Sequence, residues 1–194
     1  MIDRVKFTYD DIPMEFETSN KVFSPRNIDA GTIAMLSQVE FSSEDKVLDL
    51  GCGYGVVGIV AAKLIGDTNI VMSDISDDAI DLAKKNIMLN NVENISIIKS
   101  DALDKIEDTD FTIILSNPPY HVDFSIPKSF IEQGYKKLSY GGKMYMVTKR
   151  KEWYKNKFVR IFGGVKIYEA DGYYVFMSEK IQRGNRKYKK SPTS

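Results

Sequence analysis

The 194-residue sequence has only one cysteine, Cys52, and only one histidine, His121. A lone cysteine excludes a disulfide within the chain and is typical of proteins from a reducing compartment. Metal sites built from thiolates and imidazoles need several such ligands at short spacings, and the sequence has no such cluster. We therefore expect neither a disulfide scaffold nor a metal centre.

Long apolar runs are also missing. The longest, at 56–62, is interrupted by Gly58 and followed by Lys63, whereas a membrane-spanning helix needs about 20 predominantly apolar residues. Residues 1–18 contain scattered acidic side chains and no continuous apolar segment, unlike a signal peptide. We expect a cytoplasmic protein without a membrane anchor.

The formal net charge is zero, but the two signs are unevenly distributed. Residues 143–194 hold 14 Lys and Arg against 4 Asp and Glu, a local charge of +10, so the first 142 residues carry −10. A basic surface attracts the phosphates of nucleic acids. The asymmetry favours a polyanionic partner, and a merely solvated tail is the alternative.

The chain has the length of one α/β domain and contains no internal repeat or linker. We expect a single domain over 1–194, with an N-terminal extension at 1–28 and a basic tail at 180–194. In the extension, apolar and polar residues alternate on both sides of 10–13, which predicts a β-hairpin.

Strand and helix patterns then alternate along the chain. The predicted strands lie at 46–50, 69–73, 95–99, 111–115, 143–148, 165–170 and 173–178, and the predicted helices at 30–39, 56–65, 77–90, 127–138 and 152–162. Such alternation indicates a mostly parallel sheet with helices on both faces. We predict a Rossmann-like α/β fold with seven strands, closed by an antiparallel hairpin around Asp171-Gly172.

A glycine-rich loop follows the first strand of this sheet. Asp49 ends the strand, and Gly51, Gly53 and Gly55 lie in the turn before the next helix. Glycines let the backbone approach a ligand, and helix N-terminal amides attract anionic groups. The loop therefore suits either the methionine end of S-adenosylmethionine or a dinucleotide pyrophosphate, whose fingerprint matches GYGVVG at 53–58.

Three features favour the methyl donor. The Asp49 carboxylate would attract the ammonium group of S-adenosylmethionine and repel a pyrophosphate. Asp74 and Asp101 end successive strands and suit ribose hydroxyls and the adenine amino group, although a helix cap and a turn are alternative roles for them. Asn117-Pro-Pro-Tyr120 follows the fourth core strand, and nicotinamide enzymes have no need of it.

The tetrapeptide suits methylation of a planar amine. The lone pair of an exocyclic amine is delocalised into the ring, so the site must hold and reorient the nitrogen. The Asn117 side-chain oxygen and the Pro118 carbonyl can each accept one N–H, while Pro118 and Pro119 stiffen the backbone. Tyr120 would then stack on the base.

At these motifs the sequence resembles the methyltransferase small domain family of class I methyltransferases, which includes the small-subunit ribosomal RNA guanine-N2 methyltransferases. The likeness covers nearly the whole chain and rests on four segments: KVFS at 21–24 with DAGT at 29–32, DLGCGYG at 49–55, SNPPYH at 116–121 and DGYYVF at 171–176.

The resemblance implies an S-adenosylmethionine-dependent enzyme that methylates a guanine, most simply at N2, in ribosomal RNA or else in transfer RNA. The implied cofactor-binding residues are Asp49, Gly51, Cys52, Gly53, Asp74, Ile75, Asp101, Ala102 and Asn117. The implied catalytic residues are Asn117, Pro118, Pro119 and Tyr120. The expected substrate-binding residues are Phe23, Ser24, Tyr120, His121, Lys149 and Arg150.

Three other functions fit parts of the sequence. A protein glutamine N5-methyltransferase would use the same tetrapeptide, a nicotinamide-dependent dehydrogenase would use the glycine loop, and a non-catalytic RNA-binding module would keep only the fold. Trp153 and Tyr154 beside the basic run 149–151 would either stack on RNA or belong to the core.

Overall fold

A computed structural model describes residues 2–19, 27–119 and 123–182 of the chain. Its strands are β1 (Ile2–Tyr9), β2 (Ile12–Ser19), β3 (Val47–Leu50), β4 (Ile70–Asp74), β5 (Ser96–Lys99), β6 (Phe111–Ser116), β7 (Leu138–Thr148), β8 (Lys166–Ala170) and β9 (Tyr173–Glu179). Its helices are α1 (Ala30–Leu36), α2 (Val56–Ile65), α3 (Asp77–Leu89), α4 (Ser125–Lys137) and α5 (Lys151–Phe162).

Seven strands form one sheet in the order β5-β4-β3-β6-β7-β9-β8. The pairings from β5 to β7 are parallel, and β9 runs antiparallel to both of its neighbours. The chain starts in the middle at β3, moves outward through β4 and β5, and then returns to β6 on the other side of β3. This reversal between β3 and β6 creates a crevice at the carboxyl ends of the strands, where ligands of open α/β sheets bind.

Apolar side chains alternate between the two faces of the sheet. Val47 and Ile113 pack with the buried residues of α1, α2 and α3, whereas Leu48 and Ile114 pack with those of α4 and α5. The predicted α/β class, the seven-stranded mostly parallel sheet and the two terminal hairpins are therefore confirmed. None of the helices in the described ranges has both the length and the apolar composition needed to cross a membrane.

Two predicted boundaries are wrong by several residues. Helix α1 ends at Leu36 rather than at 39, because residues 37–38 form a turn. Strand β7 begins at Leu138, directly after α4, although 138–142 were expected to end the helix and turn. The extra strand residues form a bulge against β6. Gly141 there has φ +83°, and a Cβ on Gly142 would lie 2.7 Å from the Phe111 carbonyl oxygen.

The hairpin of β1 and β2 docks onto the domain through two asparagine side chains of α3. The buried Asn86 side chain accepts from the Glu17 amide at 2.7 Å and donates to the Glu17 and Tyr54 carbonyls at 2.9 and 2.8 Å. One turn later, Asn90 makes the equivalent pair of bonds to Glu15. The backbone groups of strand residues two apart point to the same edge of the strand. The side-chain amides of Asn86 and Asn90 therefore bind one edge of β2 as a neighbouring strand would.

We expect Asn86→Ala to lower the free energy of unfolding by about 2–4 kcal/mol, because it removes this partner from the part-buried backbone of Glu17 and from the buried Tyr54 carbonyl. Asn94→Ala is the matched control, since Asn94 is exposed and its hydrogen bonds to described residues are to Asp67. It should change stability by less than about 0.5 kcal/mol. Urea unfolding of both variants measures the difference. Equal stability of the two variants would contradict the docking role.

Candidate active site

The loops at the carboxyl ends of β3, β4, β5 and β6 enclose a cavity of about 380 Å³, within the size range of small-molecule sites. The structure brings together here the predicted cofactor-binding and catalytic residues that it describes: Asp49, Gly51, Cys52, Gly53, Asp74, Ile75, Asp101, Ala102, Asn117, Pro118 and Pro119. Because the strands are parallel, residues far apart in the sequence reach the same edge.

Asp49 is buried at the end of β3, and its Oδ2 accepts a hydrogen bond from the Gly58 amide at 2.9 Å. Gly58 is the third residue of α2, whose N-cap Gly55 has no side chain to offer, so Asp49 caps this helix from the neighbouring strand. Burial raises the pKa of Asp49 to about 7, with the nearby Asp74 adding to the shift and the Gly58 amide opposing it.

The GYGVVG match to the dinucleotide fingerprint has a packing explanation. A Cβ on Gly58 would lie 2.5 Å from Met72 Cγ, so this glycine lets α2 approach β4 closely. The Asp49 carboxylate already occupies the start of α2, where a dinucleotide enzyme would bind pyrophosphate. The local structure thus disfavours a dinucleotide.

Asp74 shapes the loop as well as lining the cavity. Its Oδ2 accepts from the Gly53 amide and its Oδ1 from the Ser76 amide, both at 2.9 Å. The cap of α3 is Ser76 rather than Asp74. Each Asp74 oxygen can accept a further bond, since a carboxylate oxygen can accept two.

Apolar side chains also line the cavity. Ile75 after β4 and Ile126 in α4 are exposed, at 60% and 40%, and both line the cavity with Phe130 of the same helix as Ile126. Ala102, another lining residue, is buried and has a left-handed φ of +46°, uncommon for a residue with a Cβ. Ile126 and Phe130 were not predicted, because apolar residues on a helix normally indicate core packing.

Asn117 follows β6, and the nitrogen of its side-chain amide has two hydrogen-bond partners. Nδ2 donates to Asp29 Oδ1 at 2.8 Å and to Thr32 Oγ1 at 2.9 Å. Oδ1 is buried and accepts no hydrogen bond from the described residues. Since buried acceptors are nearly always satisfied, this oxygen marks a position for a donor from a ligand.

Asp29, the predicted N-cap of α1, contacts three segments of the chain. Its Oδ1 accepts from the Thr32 amide at 3.1 Å as the cap bond and also from Asn117. Its Oδ2 accepts from the Tyr173 hydroxyl at 3.2 Å. A Cβ on Gly31 would lie 2.7 Å from the Tyr173 ring, so this contact requires glycine at that position.

Of the predicted substrate-binding residues, Phe23, Ser24, Tyr120 and His121 lie outside the described residues. Lys149 and Arg150 directly follow β7, the neighbour of β6, and are exposed at the same edge as the cavity without lining it. Lys149 Nζ lies 4.7 Å from the centre of the Tyr173 ring, and the Arg150 guanidinium lies 4.8 Å from that of Phe124.

The aromatic pair beside these basic residues divides between core and surface. Tyr154 is buried and packs on Phe176, as expected for a core residue. Trp153 is half-buried and stacks on Phe124 with 4.5 Å between ring centres. Because Arg150 lies on the same Phe124 ring, a cation and two aromatic rings form one cluster, and Phe124 lies two residues before the lining residue Ile126 of α4.

The strand order, the glycine loop after β3 and the asparagine-proline pair after β6 define a class I methyltransferase. The chain belongs to the methyltransferase small domain family, whose model matches residues 13–178. This membership confirms the predicted family, the enzyme class and the methyl donor, S-adenosylmethionine. It also excludes the nicotinamide-dependent dehydrogenase.

Similar proteins include YbxB of Bacillus subtilis, an uncharacterized protein, at 27% identity with 86% of each chain covered. Ribosomal RNA small subunit methyltransferase C of Serratia proteamaculans is 29% identical over 91% of this chain and 52% of its own length, so the chain spans about half of that relative. A T. thermophilus 16S rRNA N2 methyltransferase, solved in complex with AdoMet and guanosine, shares the fold with a TM-score of 0.84. The two sequences are 22% identical, and the match covers 92% of this chain and 50% of that one.

The pKa of Asp49 predicts a pH dependence of stability. The pKa of Asp49 is about 7 in the folded state and about 3.9 in the unfolded state. At pH values between these two, the folded state therefore binds one proton more than the unfolded state. The contribution of Asp49 to stability is therefore lost as the pH rises toward 7. The free energy of unfolding of Asp49→Asn, relative to that of wild type, should therefore rise by about 1 kcal/mol per pH unit between pH 5 and pH 7.

Urea unfolding at several pH values tests this expectation. Asp67→Asn serves as the control, because Asp67 is exposed and its amide partner Asn94 lowers its pKa. Its stability relative to wild type should stay constant over the same pH range. A constant difference for Asp49→Asn would show that Asp49 is ionised throughout.

The loop glycines predict a local effect on cofactor binding. Gly53 and Gly163 both have a left-handed φ, +55° and +91°, and neither has atoms within 4 Å of an added Cβ. Alanine at either position should cost about 1 kcal/mol of stability through backbone strain. Only Gly53 lines the cavity, so Gly53→Ala should weaken S-adenosylmethionine binding about tenfold while Gly163→Ala leaves it unchanged, as measured by calorimetry. Equal affinities would contradict contact between this loop and the cofactor.

Proposed function

We propose that this protein transfers a methyl group from S-adenosylmethionine to the exocyclic N2 of a guanine in RNA, with ribosomal RNA as the first candidate and transfer RNA as the second. The observation that carries the proposal is the buried Oδ1 of Asn117, which faces no donor among the described residues and belongs to a residue that lines the cavity. An exocyclic amine supplies the donor that this oxygen lacks.

The cavity residues fit the methyl donor. Asp49 lies where a carboxylate can accept from the ammonium group, and a nearby positive charge would favour its ionised form. Asp74 keeps acceptor positions for ribose hydroxyls, and Asp101 is exposed toward the cavity for the adenine amino group. Ile75 and Ile126 provide apolar surfaces for the adenine ring. When bound, S-adenosylmethionine supplies an electrophilic methyl group.

The chain's own groups then hold the nucleophile. Asn117 Oδ1 accepts one hydrogen of the target amine and the Pro118 carbonyl accepts the other, which draws the nitrogen out of conjugation with the ring. Positioning of this kind contributes much of the rate in reactions between two bound groups. No strongly basic side chain is required, because the amine loses its proton after it has gained the methyl group.

RNA as the substrate rests on charge and on the relatives. The excess of +10 lies in residues 143–194, and the exposed Lys149 and Arg150 lie at the cavity edge. Trp153 and Phe124 lie beside them as a stacked pair, which suits contact with an unpaired base. The relative from Serratia proteamaculans is named as a ribosomal RNA methyltransferase, and the solved T. thermophilus enzyme as an rRNA N2 methyltransferase.

The substrate is tested by incubating the purified protein with methyl-labelled S-adenosylmethionine and separate pools of unmodified ribosomal RNA, transfer RNA and protein. We expect label in RNA, and digestion to nucleosides should place it in N2-methylguanosine. Label in protein glutamine would support the glutamine N5-methyltransferase instead. Label in no pool would support a non-catalytic RNA-binding module.

Asn117→Ala tests the mechanism. Removing the acceptor should lower kcat on RNA by about 100-fold, the range found when one oriented hydrogen-bonding group of an active site is lost. Asn94→Ala is the matched control, because Asn94 is exposed and distant from the cavity, and it should keep wild-type kcat. Full activity of Asn117→Ala would contradict the proposed role of the amide.

A further inference from the structure

We infer that Asp29 is a positioning residue for methyl transfer: it holds the Asn117 amide with its oxygen toward the cavity, and so makes the site selective for a target that donates hydrogen bonds. The inference rests on the proposed function and adds to it a residue that does not itself touch the substrate. It follows from the hydrogen bonds that converge on the Asp29 carboxylate.

The orientation of an asparagine amide is decided by its partners, because its oxygen and nitrogen have nearly the same size and shape. Asn117 meets a carboxylate oxygen of Asp29 at 2.8 Å and the Thr32 hydroxyl oxygen at 2.9 Å. A carboxylate can only accept, so the atom that faces Asp29 must be Nδ2. A rotation by 180° would replace a donor by an acceptor at Asp29 and lose the bond.

Both hydrogens of Nδ2 are therefore used, one on Asp29 and one on Thr32. This leaves Oδ1 as the part of the amide that remains for a ligand. A substrate amine can bind this oxygen, whereas a carbonyl or a ring nitrogen with a lone pair would meet it as a second acceptor. The site consequently selects for an N–H group.

Asp29 is itself fixed from separate parts of the chain. The Thr32 amide binds it from α1, and the Tyr173 hydroxyl binds it from the start of β9. Together with Asn117 after β6, these contacts join Asp29 to residues 88 and 144 positions later in the chain. The close fit of Gly31 against Tyr173 restricts movement of the loop that carries Asp29.

Asp29→Gly tests this role, because it removes both carboxylate oxygens. Asparagine would not, since Asp29 Oδ1 accepts from both the Thr32 amide and Asn117. Glycine at an N-cap costs a helix little stability, so α1 should persist and the variant should stay folded. No acceptor then remains at this position for Asn117 Nδ2, so the Asn117 amide is free to reverse. We expect kcat on RNA to fall at least tenfold, while the affinity for S-adenosylmethionine stays within about twofold of wild type.

A double-mutant cycle separates positioning from a general structural role. If Asp29 acts through Asn117, the variant with both Asp29→Gly and Asn117→Ala should be no slower than Asn117→Ala alone. Enzyme in excess over RNA keeps these low rates measurable. A double variant slower by the product of the two single effects, or wild-type kcat for Asp29→Gly, would overturn the inference.

Asp45→Gly is the matched control, because Asp45 also accepts from a nearby backbone amide, that of Ser42, and from a hydroxyl, that of Thr112. It lies at the opposite edge of the sheet, before β3, and the variant should keep wild-type kcat.

A readout without catalysis is the NMR signal of the Asn117 side-chain amide, assigned by its disappearance in Asn117→Ala. Its hydrogens should exchange slowly with solvent in wild type and faster in Asp29→Gly; equal exchange would count against the inference.

Failure of the inference differs from failure of the proposed function. If Asn117→Ala loses activity but Asp29→Gly does not, only the positioning role is wrong. If Asn117→Ala keeps full activity, the proposed role of the amide is wrong.

Discussion

The reversal of the strand order between β3 and β6, which are parallel neighbours in the sheet, is the constraint on which the site depends. It places the end of β3, with Asp49, next to the end of β6, with Asn117. The Ser116 hydroxyl donates to the Leu50 carbonyl at 2.7 Å and joins the two strand ends directly. The loop that is proposed to hold the methyl donor and the loop that is proposed to hold the methyl acceptor thus have a fixed separation.

Two aspartates combine a helix cap with a proposed role in the site. Asp49 caps α2 but is buried and has a raised pKa, so its ionisation is unfavourable until a cation lies beside it. Asp29 caps α1 and holds Asn117. In both cases a helix cap, normally a local feature, orients a group that faces the cavity. The stability of these helices and the chemistry of the site are therefore linked.

Much of the fold could be predicted from the sequence, because short apolar runs between polar turns define buried parallel strands. Strand β6 and helix α2 lie within one residue of their predicted bounds. The start of β7 was missed because Gly141-Gly142 resembles a turn, whereas it forms a bulge whose geometry depends on the Phe111 carbonyl.

The loop residues that line the cavity were predictable because strand ends and glycines are local signals. Ile126 and Phe130 were not, since their exposure to the cavity depends on how α4 packs. The bond between Asp29 and Asn117 joins residues 88 positions apart, and only the N-cap role of Asp29 could be recognised in the sequence.

The Asn117 amide is proposed to present its oxygen to a guanine amine while Asp29 holds its nitrogen. The most direct test is a crystal structure of the protein with S-adenosylhomocysteine and guanosine. We expect the guanine N2 about 3 Å from Asn117 Oδ1, with Nδ2 still bonded to Asp29 and Thr32. A guanine bound with a carbonyl or ring nitrogen against Asn117, or an Asn117 amide turned away from Asp29, would contradict it.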